Sequence, residues 1–497
     1  MSTTELGTVR TNVPGRLDRL PWSRWHWMIV IGLGTVWILD GLEVTIVGNL
    51  SGQLAKAGSG VGITQSQVTG LAAALYVTGA CVGALFFGRL TDKFGRKKLF
   101  MITLAVYLLA TAMTALSFSA WWFFLFRFLT GFGIGGEYAA INSAIDELIP
   151  SRHRGRIDIV INGTYWLGAA FGALLTIPLI NHFPVDVGWR LAFGLGVVLG
   201  LVILLVRRNV PESPRWQFIH GQNKEADKLV DGIEQEVERE TGKQLEQVDR
   251  YITIHQRKSI GLTEIAKTMF TTYPKRAILG FSLFIGQAFL YNAITFGFAQ
   301  ILQTFFKVPP GNSGYYFAVI AVGNLFGPLL LGPLFDTLGR KIMITGTYVL
   351  SGVLLLVTAW MFDAGHLNAT TLTACWFVVL FFASAGASSA YLTVSEIFPM
   401  ETRALAIAFF YAIGTAAGGI AGPLLFSDLV STGKPSDTAL AFTIGAILMI
   451  LGGLVELFLG VKAERRGLED IATPLTQQED DGGPSGPDGR ERSPVTA

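Results

Sequence analysis

Beyond a polar start, apolar residues fill the chain in runs of about twenty, the length of helix that crosses ~30 Å of hydrocarbon at ~1.5 Å per residue. The runs lie near 26–49, 67–88, 99–119, 121–145, 157–180, 190–207, 277–303, 314–335, 341–362, 371–394, 402–427 and 438–461. Short polar loops separate them, and one long charged interruption falls in the middle. The pattern predicts an all-α polytopic membrane protein with twelve transmembrane helices in two six-helix bundles. Its parts are a segment at 1–24, a first bundle at 25–207, a linker at 208–275, a second bundle at 276–462 and a tail at 463–497. In the linker, the runs Lys224 to Lys228 and Glu234 to Glu240 read as short amphipathic helices. The tail is rich in Gln, Glu, Asp, Gly and Pro, and buries too little apolar surface to offset the entropy of ordering.

Composition agrees with lipid as the solvent, since 51% of residues are hydrophobic and only 15% charged. A net charge of +2 argues against a nucleic-acid binder, and no zinc, nucleotide-binding or nucleophile-elbow pattern occurs, so neither catalytic residues, metal nor cofactor is expected. Cys81 and Cys375 lie in apolar runs and read as small hydrophobes. Basic residues fall in alternate loops: Arg89, Lys93, Arg96, Lys97 and Lys98, then Arg152, Arg154 and Arg156, Arg207 and Arg208, Arg340 and Lys341, and Arg465 and Arg466. Positive charge stays on the cytoplasmic side, which puts both termini there in a cell membrane. The first 24 residues lack a cleavable apolar core, so the amino terminus is expected to be retained. Trp22, Trp25, Trp27, Trp121 and Trp122 stand where interfacial rings anchor helix ends.

An internal repeat organises the chain. Gly88-Arg89-Leu90-Thr91-Asp92-Lys93-Phe94-Gly95-Arg96-Lys97, after the second run, returns after the eighth as Gly332-Pro333-Leu334-Phe335-Asp336-Thr337-Leu338-Gly339-Arg340-Lys341. Glu147, Pro150 and Arg154 likewise match Glu396, Pro399 and Arg403 in spacing. A six-helix unit has been duplicated. The paired Gly-x-Leu-x-Asp-x-x-Gly-Arg-Lys loops resemble the signature of the major facilitator superfamily. Arg127-x-x-x-Gly131-x-Gly133-x-Gly135 and Pro211-Glu212-Ser213-Pro214-Arg215-Trp216 resemble its sugar-porter branch and the related metabolite symporters, over about residues 20–465. The resemblance implies that Gly88, Asp92, Gly95, Arg96, Asp336, Gly339 and Arg340, with Glu147, Arg154, Glu396 and Arg403, latch the cytoplasmic gate in the outward-facing state. On the residues alone, the same loops can simply set topology and turn geometry.

Ionisable side chains at membrane depth are costly and mark function. The first half holds Asp40, Glu43, Arg127 and Glu137. Asp40 and Glu43 share a helix face, and rises of ~1.5 Å per residue put Arg127 ~9 Å and Asp40 ~12 Å below the outer ends of their helices, close enough to pair. Asp40 is the expected proton carrier, Arg127 its switching partner and Glu43 a modulator; a static ion pair is the alternative. Glu137, roughly 15 Å deeper than Arg127, is either a second proton or substrate group or merely paired. Between the halves, Asn162, Gln287, Tyr291, Asn292, Asn324, Ser388 and Tyr391 offer hydrogen bonds to a solute or to neighbouring helices. Gln287 and Asn292 match the sugar-porter pattern, Asn162 replaces its Gln and Tyr391 its Trp. Asp40-Gly41-Leu42-Glu43, followed by Gly48, is closer to aromatic-acid and other organic-acid proton symporters. The reading is a proton-coupled symporter of a small polar metabolite, an organic acid ahead of a sugar or polyol, acting as a monomer in the lipid bilayer with protons as co-substrate. An uncoupled sugar facilitator and a proton-driven exporter are the alternatives.

Overall fold

A computed structural model describes residues 5–207, 212–248, 251–257, 267–398, 403–464, 466 and 471–472. The side chains of Asp92, Glu147 and Arg403 lie outside the described ones. Spans are numbered in chain order. The first half comprises Arg24–Leu54, Gln67–Thr91, Arg96–Ala115, Ala120–Leu148, Ser151–His182 and Val185–Arg207. The second comprises Pro274–Phe306, Ser313–Thr337, Arg340–Asp363, Ala369–Ile397, an eleventh span from Arg403 to Ser431, and Pro435–Leu459. Most helices outrun their apolar runs, as expected where a helix tilts or protrudes beyond hydrocarbon. The perimeter is apolar: Phe458 is 76% exposed, and Leu109 and Trp360 are each 66% exposed, a surface suited to lipid and not to water.

Glycines let the helices approach backbone to backbone, the packing that works where lipid removes the hydrophobic drive. A Cβ on Gly79 or Gly83 of the second span would strike the Phe128 or Phe132 carbonyl of the fourth, and one on Gly131 or Gly135 would strike the Tyr76 or Ala80 carbonyl in return. Gly41 and Gly168 join the first and fifth spans in the same way, and Gly418 and Gly422 face the seventh from the eleventh. The duplication legible in the loops is therefore also a duplication of helix pairing. The halves meet along the fifth and eighth spans, where Gly163 faces Pro328 and Gly314 faces the Ala173 carbonyl.

The polar segments add one feature the hydrophobic pattern does not predict. Glu5–Thr11 pairs antiparallel with Ile252–Arg257 of the linker, a two-stranded ladder outside the membrane bundle. The short helix Val13–Asp18 follows and docks on the amphipathic linker helix Asn223–Thr241, whose Ala226, Val230, Ile233 and Val237 are buried. Arg16 donates to Glu234 and Asp231 at 2.5 Å each, and Arg19 to Glu234 at 2.5 Å. Burial works against a charged Glu234, but hydrogen bonds from Arg16 and Arg19 outweigh it and hold this carboxyl below the usual range.

Candidate transport site

A cavity of ≈ 130 Å³ lies between the halves at mid-depth. Eight of its lining side chains are aromatic. Trp37, Tyr76, Tyr138, Tyr165 and Trp166 come from the first half, and Tyr291, Tyr391 and Tyr411 from the second. Trp37 stacks on Tyr138 at 4.7 Å and 5°, and Tyr391 meets Trp37 edge-on at 5.8 Å. Tyr411 stands edge-on to Tyr138 at 4.9 Å, and Trp166 packs on Tyr291 at 5.3 Å. Rings from both halves thus contact each other across the pseudo-twofold axis. The fifth span breaks at Thr164, whose hydroxyl donates to Ile161 O at 2.6 Å, so that Asn162 precedes the break and Tyr165 and Trp166 follow it. All three line the cavity.

Of the neutral polar residues singled out from sequence, Asn162, Gln287, Tyr291, Asn292, Ser388 and Tyr391 line the cavity. Asn324 does not. It is fully buried behind Tyr291, accepting that hydroxyl at 3.2 Å and donating to Ile320 O at 3.1 Å. Two amides spend a donor on their own helix, Asn162 on Asp158 O at 2.8 Å and Asn292 on Ala288 O at 2.9 Å. The Ser388 hydroxyl donates to Ser384 O at 3.0 Å. By contrast, the indole nitrogen of Trp37 and the hydroxyls of Tyr76 and Thr415 are buried without a hydrogen-bond partner among the described residues. These are donors in search of an acceptor.

Beside the cavity sits the charged group. Arg127, fully buried, forms its ion pair with Glu43, and its guanidinium lies 4.7 Å from the centre of the Tyr76 ring. The sequence reading gave Arg127 to Asp40. The structure gives it Glu43, one helical turn further along the same face, because the first and fourth spans meet at that level. Asp40 is 1% exposed and within electrostatic reach of Tyr76, Tyr138 and Tyr165. Arg127 does not line the cavity; Tyr76 stands between. Glu137 is fully buried deeper in the fourth span, 3.4 Å from the Thr103 hydroxyl, whose proton goes to Leu99 O at 2.9 Å.

The halves touch both above and below the cavity. On the face where the first and last described residues lie, the termini face, Arg340 grips Glu396 through two nitrogens at 3.2 and 3.1 Å and Asp336 at 2.6 Å. Asp336 in turn accepts the Arg156 backbone N–H of the other half at 2.8 Å. Gly155 makes room, since a Cβ there would lie 2.7 Å from Arg340 Cζ. Arg154 reaches Asp18 at 3.4 Å. Gly95 and Gly339 open the third and ninth spans at φ 92 and 104, which only glycine adopts readily. In the first of these loops, Glu212 accepts the N–H groups of Arg96 at 2.9 Å and Lys97 at 3.1 Å, capping the third span. Gly88 is buried within the second span. On the opposite face the contacts are uncharged: Gln65 donates to Gln303 at 2.8 Å, and Thr69 to Gln300 at 2.9 Å.

A family model described as "Sugar (and other) transporter" matches residues 25–474. The chain belongs to that family. A niacin transporter of Acinetobacter baylyi is 26% identical over 461 residues, covering 92% of this chain and 98% of that one. A myo-inositol transporter of Schizosaccharomyces pombe is 28% identical, covering 84% and 77%. Among solved structures, the proton:xylose symporter XylE bound to 6-bromo-6-deoxy-D-glucose superposes with a TM-score of 0.72 at 17% identity, covering 90% of this chain and 98% of that one. The inward-open form of the xylose transporter from E. coli gives 0.63 at 18% identity, over 90% and 98%. The fold is shared.

This member of the sugar (and other) transporter family is therefore a multi-pass membrane transporter of a small molecule, not an enzyme. Sequence reasoning missed most of its aromatic lining. Trp37, Tyr76, Tyr138, Tyr165, Trp166 and Tyr411 all read as apolar filler within a span. The available signal was chemical: each is a Trp or Tyr, a ring with a polar tip, where Phe would fill a span as well.

Proposed function

We propose that this transporter is a proton-coupled symporter of a small organic acid with a flat ring, working by alternating access in a cell membrane with both termini cytoplasmic. The observation that carries the reading is the aromatic cavity with unpartnered donors. Rings on several sides reward a planar solute with stacked and edge-on contacts of ~0.5–1.5 kcal/mol each beyond plain burial. The indole N–H of Trp37 and the hydroxyls of Tyr76 and Thr415 suit the acceptor oxygens of a carboxylate. A polyol needs many donors and acceptors at once, and here Asn162, Asn292 and Ser388 have already committed a donor to the backbone. The niacin transporter among the relatives is in keeping with such a solute.

Coupling is assigned to Asp40, Glu43, Arg127 and Glu137. A carboxyl buried in apolar surroundings favours its proton when no cation faces it, and Arg127, shifting between Glu43 and Asp40 within the first half, decides which of the two takes one up. Asp40 is the carrier in this reading, and Glu43 holds Arg127 in the closed form. The termini-face network of Arg340, Asp336, Glu396 and Arg156 is the inner gate. Cytoplasmic termini follow from the Lys and Arg loops. An uncoupled polyol facilitator is the second reading, favoured by Gln287 and Asn292 in the lining.

Uptake of labelled nicotinate, benzoate, glucose and myo-inositol into proteoliposomes, with an imposed inward proton gradient and an uncoupler control, separates these readings. Gradient-driven accumulation of an aromatic acid is expected, and Asp40→Asn is expected to abolish it while solute counterflow survives. Equilibration of glucose or myo-inositol without accumulation establishes the facilitator instead.

A further inference from the structure

The eleventh span changes its winding beside the cavity. Past Thr415, Ala416–Ile420 form a single wide π-helical turn before the α-helix resumes at Ala421. Such turns are rare and recur at functional sites. This one buries Gly418 and Gly419, and the two glycines meet different obstacles. A Cβ on Gly418 would lie 2.3 Å from the Ile285 carbonyl oxygen of the seventh span, a backbone atom that cannot step aside. A Cβ on Gly419 would lie 2.9 Å from the Asn292 amide nitrogen, 3.0 Å from the Thr415 methyl and 3.2 Å from a Val77 methyl. Those atoms end side chains, and all three side chains line the cavity, whereas Gly419 does not. The nearest of them has one way to yield. The Asn292 amide is folded onto its own helix, donating to Ala288 O at 2.9 Å, with Gly419 beside it. The cavity is the space that remains.

We propose that Gly419 is a specificity-determining residue: by lacking a side chain it keeps the Asn292 amide out of the cavity, and so sets the width of solute that the wall admits. The inference rests on this cavity being the transport site and does not depend on proton coupling. A methyl group in place of the Gly419 hydrogen drives the Asn292 amide off Ala288 O and into the lined space. The wall then becomes both thicker and more polar. In a cavity of ≈ 130 Å³ the widest solutes feel that change first. Val77 belongs to the first half and Asn292 and Thr415 to the second, so the stretch of wall that Gly419 backs is built by both.

The test measures uptake by the full chain in proteoliposomes along two ladders of solute width: benzoate, para-methylbenzoate and para-ethylbenzoate, and xylose, glucose and methyl glucoside. Gly419→Ala is expected to keep the smallest solute that the parent takes up within about threefold in kcat/KM. At the widest it is expected to lose about tenfold or more, the discrimination that one methylene gives in a fitted pocket. Asn292→Ala removes the amide through which the effect runs, and on that background Gly419→Ala is expected to leave the ladder unchanged. Gly418→Ala, the packing control, is expected to lower the unfolding temperature of the detergent-solubilised protein and to cut every member alike. An unchanged ladder in Gly419→Ala overturns the assignment. An equal loss along the ladder, or a variant that does not fold, overturns it too, since each marks packing. The same shift on the Asn292→Ala background also overturns it. Asn292→Ala that alters uptake of no member overturns the cavity as the transport site, and the inference with it. A shift seen only on the xylose ladder, with no benzoate taken up, keeps Gly419 as the determinant and overturns the aromatic-acid reading instead.

Discussion

At the scale of single residues, the Arg127 and Glu43 pair has the sharpest consequences. Both side chains are essentially unexposed, so removing one partner strands the other's charge in a medium that cannot solvate it. Glu43→Gln is expected to cost about 3–5 kcal/mol, the usual effect of breaking a buried pair. It is read as a lower unfolding temperature of the detergent-solubilised protein. The double replacement Glu43→Leu with Arg127→Met should recover most of that stability yet leave no gradient-driven uptake. A second residue-scale prediction concerns Trp37. Trp37→Phe keeps an aromatic ring against Tyr138 and deletes the indole donor. Loss of one hydrogen bond to a charged group, ~1.5–3 kcal/mol, raises the KM for a carboxylate solute by roughly tenfold or more. The KM for the corresponding uncharged amide should move much less. Equal effects on both would mean that the indole nitrogen does not face the solute's acid group.

At the scale of elements, helix ends are fixed by groups far away in sequence. Glu212 caps the third span from the loop beyond the sixth, and the strand Glu5–Thr11 finds its partner in the linker. The helix Val13–Asp18 is too short to persist alone and depends on its contacts with Asn223–Thr241. Those contacts are pH-dependent with a definite sign. Because the docked form lowers the Glu234 pKa, its contribution is complete above the unperturbed carboxylate value of ~4.3 and is lost as pH falls through the lowered value. Amide hydrogen exchange over Val13–Asp18, corrected for intrinsic rates, should quicken below about pH 4. In Glu234→Gln it should already be fast at neutral pH.

At the scale of the whole molecule, the two ends of the transport path are closed by different chemistry. The termini face uses a charged network with Arg340 at its centre, and the opposite face uses neutral amide and hydroxyl contacts between Gln65, Gln303, Thr69 and Gln300. A fully desolvated ionic cluster loses more when one member is removed than a neutral contact does. Asp336→Asn, which weakens the hold on both Arg340 and Arg156, is therefore expected to shift the protein toward opening at the termini face. Labelling of a cysteine placed at Thr295 in the cavity by a membrane-impermeant thiol reagent, applied to each face in turn on a background without Cys81 and Cys375, reads the shift. Unchanged labelling from the termini face would assign these residues to topology alone.

Much of this molecule follows from its sequence because lipid leaves little choice. An apolar run of the right length must be a helix, since only a helix satisfies its own backbone in hydrocarbon. Twelve such runs with a duplicated loop motif require two related bundles. The amides of the cavity were visible too, because a polar residue in a span is conspicuous. The partner of Arg127 was not. Asp40 and Glu43 share a helix face, and only the rotation and depth at which the first span meets the fourth decide which carboxylate arrives. Nor was Asn324 distinguishable from Asn292, one behind the wall and one in it, for that depends on how two helices turn about their axes. The aromatic lining stayed hidden for a related reason: in a membrane span a ring costs nothing whether it faces lipid, core or cavity, so its presence alone gives no direction. Sequence determined what must cross the membrane and how many times, and tertiary structure decided which side chains the crossings bring face to face.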